Sequence, residues 1–99
     1  MADVIVLEFS APHAVDIYNK VNRIIGFDGT SDSEHWPKGM LSHIAGESGD
    51  KLVVVEVWAS KADQEEFLHA KLGPAFAQAE VPEPSKIEWL NGVGDAHRH

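Results

Sequence analysis

The sequence predicts an α+β fold of the ferredoxin-like class, a four-stranded antiparallel sheet with two helices on one face. One supporting observation is the order of the predicted elements, βαββαβ, within 99 residues, a length that suits a single domain. The other is the stretch from Lys51 to Ser60, KLVVVEVWAS, whose residues 52–58 are apolar on both faces apart from Glu56. Such a strand is typical of the middle of a sheet that is covered from both sides.

The first half of the chain predicts a strand, a helix and a long loop. Residues 2–9, ADVIVLEF, have the composition of a strand. Ser10 is predicted to cap a helix over 12–25, which has one apolar stripe and ends at Gly26. Residues 27–38 are rich in Gly, Ser and Asp and predict a loop, long enough for a functional role to be expected.

The second half predicts a hairpin followed by a helix. Residues 39–46 form the second predicted strand, and the turn ESGD at 47–50 joins it to the third. Ser60 is predicted to cap a helix over 61–72. The Gly-Pro pair at 73–74 is expected to break this helix, because proline lacks the backbone N–H that a helix interior needs, and Pro74 can start a further turn through Phe76 and Ala79.

Residues 85–91, SKIEWLN, predict the last strand. The predicted domain therefore spans residues 1–93, and residues 94–99 form a polar tail.

The composition excludes several classes of partner and site. The net charge of −8 disfavours nucleic acid and anionic membrane surfaces, both of which attract basic proteins. Without cysteine there is no disulfide and no thiolate zinc site. No apolar run approaches a membrane span, and the first residues lack the pattern of a signal peptide. A cytoplasmic location is therefore expected.

The third strand also predicts a homodimer. Val53, Val55 and Val57 point to one face, and Glu56 and Trp58 to the other. Because the helices cover only one face, we expect a second copy of the chain to cover the other, which would give a dimeric α+β barrel.

The hairpin geometry brings candidate catalytic residues together. A two-residue turn at 49–50 places His43 opposite Glu56 and Leu41 opposite Trp58. Directly opposed residues share a face, so His43, Glu56 and Trp58 are predicted to cluster. In an apolar pocket the pair could act as a general base, with His43 taking a proton and Glu56 orienting its ring. Alternatively, the pair satisfies only itself in the core or at the dimer seam.

Four further side chains are candidates for substrate binding. Trp58 would form a wall of the pocket, and Tyr18 and Asn22, on or beside the inward side of the first helix, would bind substrate oxygens. Trp36 in the long loop could act as a lid, or could be a surface aromatic. The sequence contains none of the common zinc, phosphate-loop or serine-hydrolase motifs, so no metal and no cofactor are predicted.

Several segments resemble a known family. They are GMLSHIAG at 39–46, VEVWAS at 55–60, FL at 67–68 and LGPA at 72–75. Together they resemble the dimeric α+β barrel superfamily, and within it small uncharacterised members of the antibiotic-biosynthesis monooxygenase-like family. The resemblance implies one pocket per subunit between helices and sheet. It also implies oxygenation of phenolic polyketides without metal or flavin.

Haem-degrading relatives use an Asn on strand one, a Trp on strand three and a His on helix two. Trp58 matches the second of these, and His69 lies in the matching helix, but the first strand contains no Asn. Haem is therefore not expected as a cofactor.

The leading functional hypothesis is a cofactor-independent monooxygenase-like protein for a small aromatic or polyketide-type substrate. One alternative is a non-catalytic dimeric protein that binds a hydrophobic metabolite. Another is a small dimer without an active site, whose His–Glu pair serves only the core.

Overall fold

The computed structural model describes residues 2–10, 12–26 and 36–91. The strands are β1 (Asp3–Ser10), β2 (Met40–Ser48), β3 (Lys51–Trp58) and β4 (Lys86–Asn91), and the helices are α1 (Ala14–Ile25), α2 (Lys61–Phe67) and α3 (Gly73–Ala79). The strands form one antiparallel sheet in the order β2-β3-β1-β4. The predicted ferredoxin-like α+β fold is confirmed. The predicted tail at 94–99 and most of the predicted loop at 27–38 lie outside the described residues.

The core lies between the sheet and the helices. Alternate residues of the two central strands point toward the helices, and among them Ile5, Phe9 and Val54 are buried. Trp58, at the end of β3, is the most deeply buried large side chain, with 0% of its surface exposed. It packs against Ile5 and Met40 on the sheet side of the helical layer. This buried layer holds the two central strands beneath the helices.

The opposite face of the sheet has no helix over it in the single chain. Val53, Val55 and Val57 are half-buried there. Ile44, which pairs with Val55 and so shares its face, is 66% exposed. The sheet therefore presents an apolar surface, as the double-sided composition of the third strand predicted.

The β2–β3 register confirms one predicted pair and corrects another. His43 lies opposite Glu56, as the two-residue turn predicted. The predicted pairing of Leu41 with Trp58 is wrong, because Met40 is the partner of Trp58 and the register shifts between Met40 and Ser42. An extra residue in one strand is a β-bulge, and it leaves Leu41 58% exposed.

The start of α1 also differs from the prediction. Ser10 does not cap this helix, because it is the last residue of β1 and its hydroxyl lies 3.1 Å from that of Ser85. The helix begins at Ala14 after His13, which has a left-handed backbone and makes no side-chain cap. Gly26 ends the helix in a left-handed conformation, as predicted.

The second helical region begins as predicted but does not break at 73–74. Ser60 accepts a hydrogen bond from the backbone N–H of Asp63 at 3.2 Å, which confirms the cap. After α2 the chain continues through a π-helical turn, Leu68–Leu72, into α3. The N–H of Gly73 bonds to the carbonyl of Leu68, five residues earlier. This wider turn places Pro74 in the first turn of α3, where a missing N–H is tolerated.

Gly39 provides a test of the packing at this junction. Its backbone is left-handed (φ 85°), its carbonyl accepts the N–H of Ala59 at 2.7 Å, and a Cβ there would overlap the side chain of Asp63. Gly49 is also left-handed (φ 60°) but faces open space. We expect Gly39→Ala to lower the free energy of unfolding by about 3 kcal/mol and Gly49→Ala by about 1 kcal/mol, measured by urea denaturation. Equal losses of unfolding free energy in the two variants would contradict the close contact between Gly39 and Asp63.

Candidate active site between helices and sheet

A cavity lies between the helices and the covered face of the sheet. Its empty volume is about 710 Å³, a figure that includes the open solvent at its mouth. Most of the described lining residues are apolar. The polar side chains among them are those of Tyr18, Asn22, His43 and Glu56. An apolar cavity with a few convergent polar groups is the usual form of a ligand site.

Two elements position these polar side chains. Tyr18 and Asn22 are four residues apart on α1, so they lie on one side of the helix, one turn apart. His43 and Glu56 are a directly opposed pair of β2 and β3 on the face beneath the helices. The amphipathic helix and the register of the hairpin therefore direct all four toward one space.

Three of these residues form a hydrogen-bonded chain with Trp58. The indole Nε1–H of Trp58 donates to Oε1 of Glu56 at 3.1 Å. Oε2 of Glu56 lies 3.1 Å from Nδ1 of His43, and the hydroxyl of Tyr18 lies 2.6 Å from Nε2 of the same ring. The rings of Tyr18 and His43 are nearly parallel, at 16°, with centroids 5.9 Å apart. The hydroxyl thus reaches the ring from its edge.

The chain is shielded from water at its inner end. Glu56 is 5% exposed, and the side chain of His43 is 13% exposed. A buried carboxylate without partners is strongly unfavourable, but each oxygen of Glu56 has one. In such a low-dielectric site, charge-assisted hydrogen bonds are stronger than in water. The arrangement can orient an imidazole beside a carboxylate.

Neither of the two tryptophans predicted to contact substrate, Trp36 and Trp58, is among the described residues that line the cavity. Trp58 is fully buried and acts on the cavity through Glu56. Trp36 donates its indole N–H to the carbonyl of Met40 at 2.7 Å and packs beside the cluster of Met40 and Trp58. It also lines a second depression with residues of α2. Substrate contact by these two tryptophans stays a prediction.

Neither a metal-binding cluster nor a membrane-spanning helix occurs in the described part of the chain. Residues 2–10, 12–26 and 36–91 contain no group of three or more His, Asp or Glu side chains that could hold a metal ion. None of the helices described in these ranges is long and apolar enough to cross a membrane.

The chain was compared with known proteins. It matches no protein-family model, and no curated protein matches it in sequence. Solved structures do match its fold. Rv0793 from Mycobacterium tuberculosis is 17% identical, with a TM-score of 0.71 over 98% of this chain and 100% of that one. A candidate antibiotic biosynthesis monooxygenase from Chloroflexus aurantiacus is 16% identical, with a TM-score of 0.69 over 98% of each chain.

A third similar structure carries a ligand. The monooxygenase ActVA-Orf6 of Streptomyces coelicolor, in complex with Nanaomycin D, is 18% identical, with a TM-score of 0.61 over 99% of this chain and 93% of that one. The chain thus shares the fold of these solved structures, two of which are described as monooxygenases. At these identities the likeness concerns the fold.

Sequence reasoning missed two features of the cavity. One is the hydrogen bond from Tyr18 to His43, which depends on how α1 sits over the sheet. The other is the wall made by Phe76 and Val81, near the end of the helical region. The apolar residues after Pro74 were the available signal for that wall. They predict a further helical turn after Pro74 but not the side of that turn that faces the cavity.

Proposed function

We propose that the protein is a cofactor-independent monooxygenase-like enzyme that acts on a small aromatic or polyketide-type molecule in the cavity. The observation that carries the proposal is the chain of Tyr18, His43 and Glu56 at the polar end of an otherwise apolar cavity. The likeness of fold to a monooxygenase with bound Nanaomycin D supports a small organic ligand.

The chemistry needs a base and molecular oxygen. His43, oriented by Glu56, is the base that gains a proton when a substrate hydroxyl loses one, and the resulting anion is electron-rich enough to react with oxygen. Where a ring carbon carries two hydrogens, CH₂ and O₂ give C=O and H₂O. One oxygen atom bonds to the oxidised carbon, and the other leaves with the two hydrogens as water. The carbon loses four electrons and each of the two oxygen atoms gains two, so the electrons balance.

The proposed enzyme is a homodimer formed through the uncovered face of the sheet. Described apolar side chains on this face come from all four strands: Val4, Val6, Ile44, Val53, Val55, Val57 and Leu90. Exposed apolar patches of this kind are typical of interfaces. A two-fold axis through the face would bury the same surface of both copies.

The first test is the effect of His43→Ala on oxygen uptake with a phenolic anthrone. We expect the rate to fall by about 10² or more, since a positioned general base contributes at least that factor. His69→Ala, in the exposed part of the π-helical turn, is the matched control and should leave the rate unchanged. An unchanged rate in His43→Ala would contradict its role as base. No uptake by the unsubstituted protein with any phenolic substrate tried would contradict the proposed function.

The interface is tested by placing a charge on either side of the sheet. Ile44 is 66% exposed on the uncovered face, and Ile87 is 58% exposed on the side toward the helices. Ile44→Glu should convert the dimer to a monomer in sedimentation velocity, because a carboxylate would be buried against the partner. Ile87→Glu should leave the dimer intact. The same oligomeric state in both variants would argue against this interface.

A further inference from the structure

The direction of the hydrogen bonds in the chain follows from its buried end. An indole N–H can only donate, so Oε1 of Glu56 is an acceptor. An ionised carboxylate has no proton to give, and its Oε2 therefore accepts the proton of His43 Nδ1. In the neutral ring the other nitrogen, Nε2, is then an acceptor, and the hydroxyl of Tyr18 donates to it.

This polarity leaves Tyr18 at the cavity end of the chain. Both ring nitrogens of His43 are engaged, one by Glu56 and one by Tyr18. The hydroxyl of Tyr18 uses its hydrogen in the hydrogen bond to the ring. The lone pairs of its oxygen are therefore available to accept a proton from a molecule in the cavity that Tyr18 lines. A substrate hydroxyl can bond to this oxygen without displacing either hydrogen bond of the imidazole.

We propose that Tyr18 is the catalytic residue that takes the substrate proton, while His43 receives the proton that Tyr18 releases. One O–H bond of the substrate breaks and one forms on Tyr18, as the Tyr18 hydrogen moves to Nε2 of His43. Tyr18 ends neutral, and the imidazolium is paired with the carboxylate of Glu56. No electron is transferred in this step. The inference rests on the proposed function for its substrate, but the proton transfer is measurable without oxygen.

The same cavity selects an uncharged hydroxyl compound over a carboxylate. The described lining residues include no lysine or arginine, and ionised Glu56 lies at the polar end. An anion would enter without a counter-charge and beside a like charge, which is unfavourable in a low-dielectric site. A neutral phenol brings its proton with it, and its charge forms only as the imidazolium forms. Asn22, one turn along α1, is placed to bond a second oxygen.

The edge-to-face pair of Phe9 and Phe76 supports an aromatic occupant. Both rings line the cavity, with centroids 6.4 Å apart and an interplanar angle of 85°. Aromatic faces and edges favour further ring contacts. The substrate class is therefore a neutral phenol with an apolar ring body.

The test uses para-nitrophenol, whose anion is yellow and whose neutral form is not, under anaerobic conditions and at a pH where the free probe is mostly neutral. We expect the bound probe to show the anion spectrum in the unsubstituted protein. Tyr18→Phe keeps the ring but removes the hydroxyl that passes the proton from the probe to His43, which we call the relay. This variant should lower the bound anion fraction about tenfold or more while the probe still binds. An unchanged anion fraction in Tyr18→Phe would show that His43 takes the proton directly and would overturn the proposal.

A second variant keeps the proposal testable if Tyr18→Phe does not fold. In Glu56→Gln the amide oxygen can take the Trp58 N–H, and the amide N–H₂ then faces Nδ1 of His43. The ring proton moves to Nε2, which can no longer accept, and the anion signal should be lost. Glu65→Gln, exposed on α2, is the matched control and should keep the signal. Retention of the signal in Glu56→Gln would also overturn the relay.

The same assay tests the proposed substrate class separately. We expect para-nitrobenzoate to bind about tenfold or more weakly than para-nitrophenol, because it is charged before it enters. Equal or tighter binding of the benzoate, or no binding of the phenol, would overturn this part. An anion signal that depends on Tyr18, without oxygen uptake, would support the relay and reject the oxygenase. Oxygen uptake with an unchanged signal in Tyr18→Phe would reject the relay alone.

Discussion

The candidate site depends on one buried carboxylate. Glu56 is in the middle of an apolar strand, 5% exposed, where an unpartnered charge would cost several kcal/mol, on the order of a domain's whole stability. Trp58 and His43 each satisfy one of its oxygens. Because the indole can only donate and an ionised carboxylate can only accept, the ring proton lies on Nδ1 of His43, and the Tyr18 hydroxyl donates to Nε2. The charge on Glu56 thus determines which atom meets a ligand.

This polar chain also joins the two layers of the fold. His43 and Glu56 belong to the sheet, whereas Tyr18 belongs to α1, so the 2.6 Å contact between Tyr18 and His43 links helix to sheet across the cavity. Most of the remaining lining is apolar, and apolar contacts do not fix how the helix is oriented on the sheet. A directional bond in an apolar layer favours one position of the helix over others. The group that orients the helix is therefore also the group proposed to receive the substrate proton.

Most of the fold, and part of the site, could be predicted from the sequence. The His43–Glu56 pairing followed from a two-residue turn, since strand register is set by turn length. The same count failed at Leu41, because a bulge adds a residue without a sequence signal as strong as a turn. The continuation of the helix through 73–74 was missed because a π-helical turn relieves the constraint of Pro74. The contact of Tyr18 with His43 depends on tertiary packing, which no local pattern specifies.

The position of the ring proton on His43 tests the central claim most directly. Nitrogen-15 NMR of the imidazole, or neutron diffraction from a crystal, distinguishes the two tautomers. The account predicts a proton on Nδ1, shared with Glu56, and a bare Nε2 that accepts the hydroxyl of Tyr18. A proton on Nε2, with the Tyr18 hydrogen directed into the cavity, would reverse the chain and contradict the account.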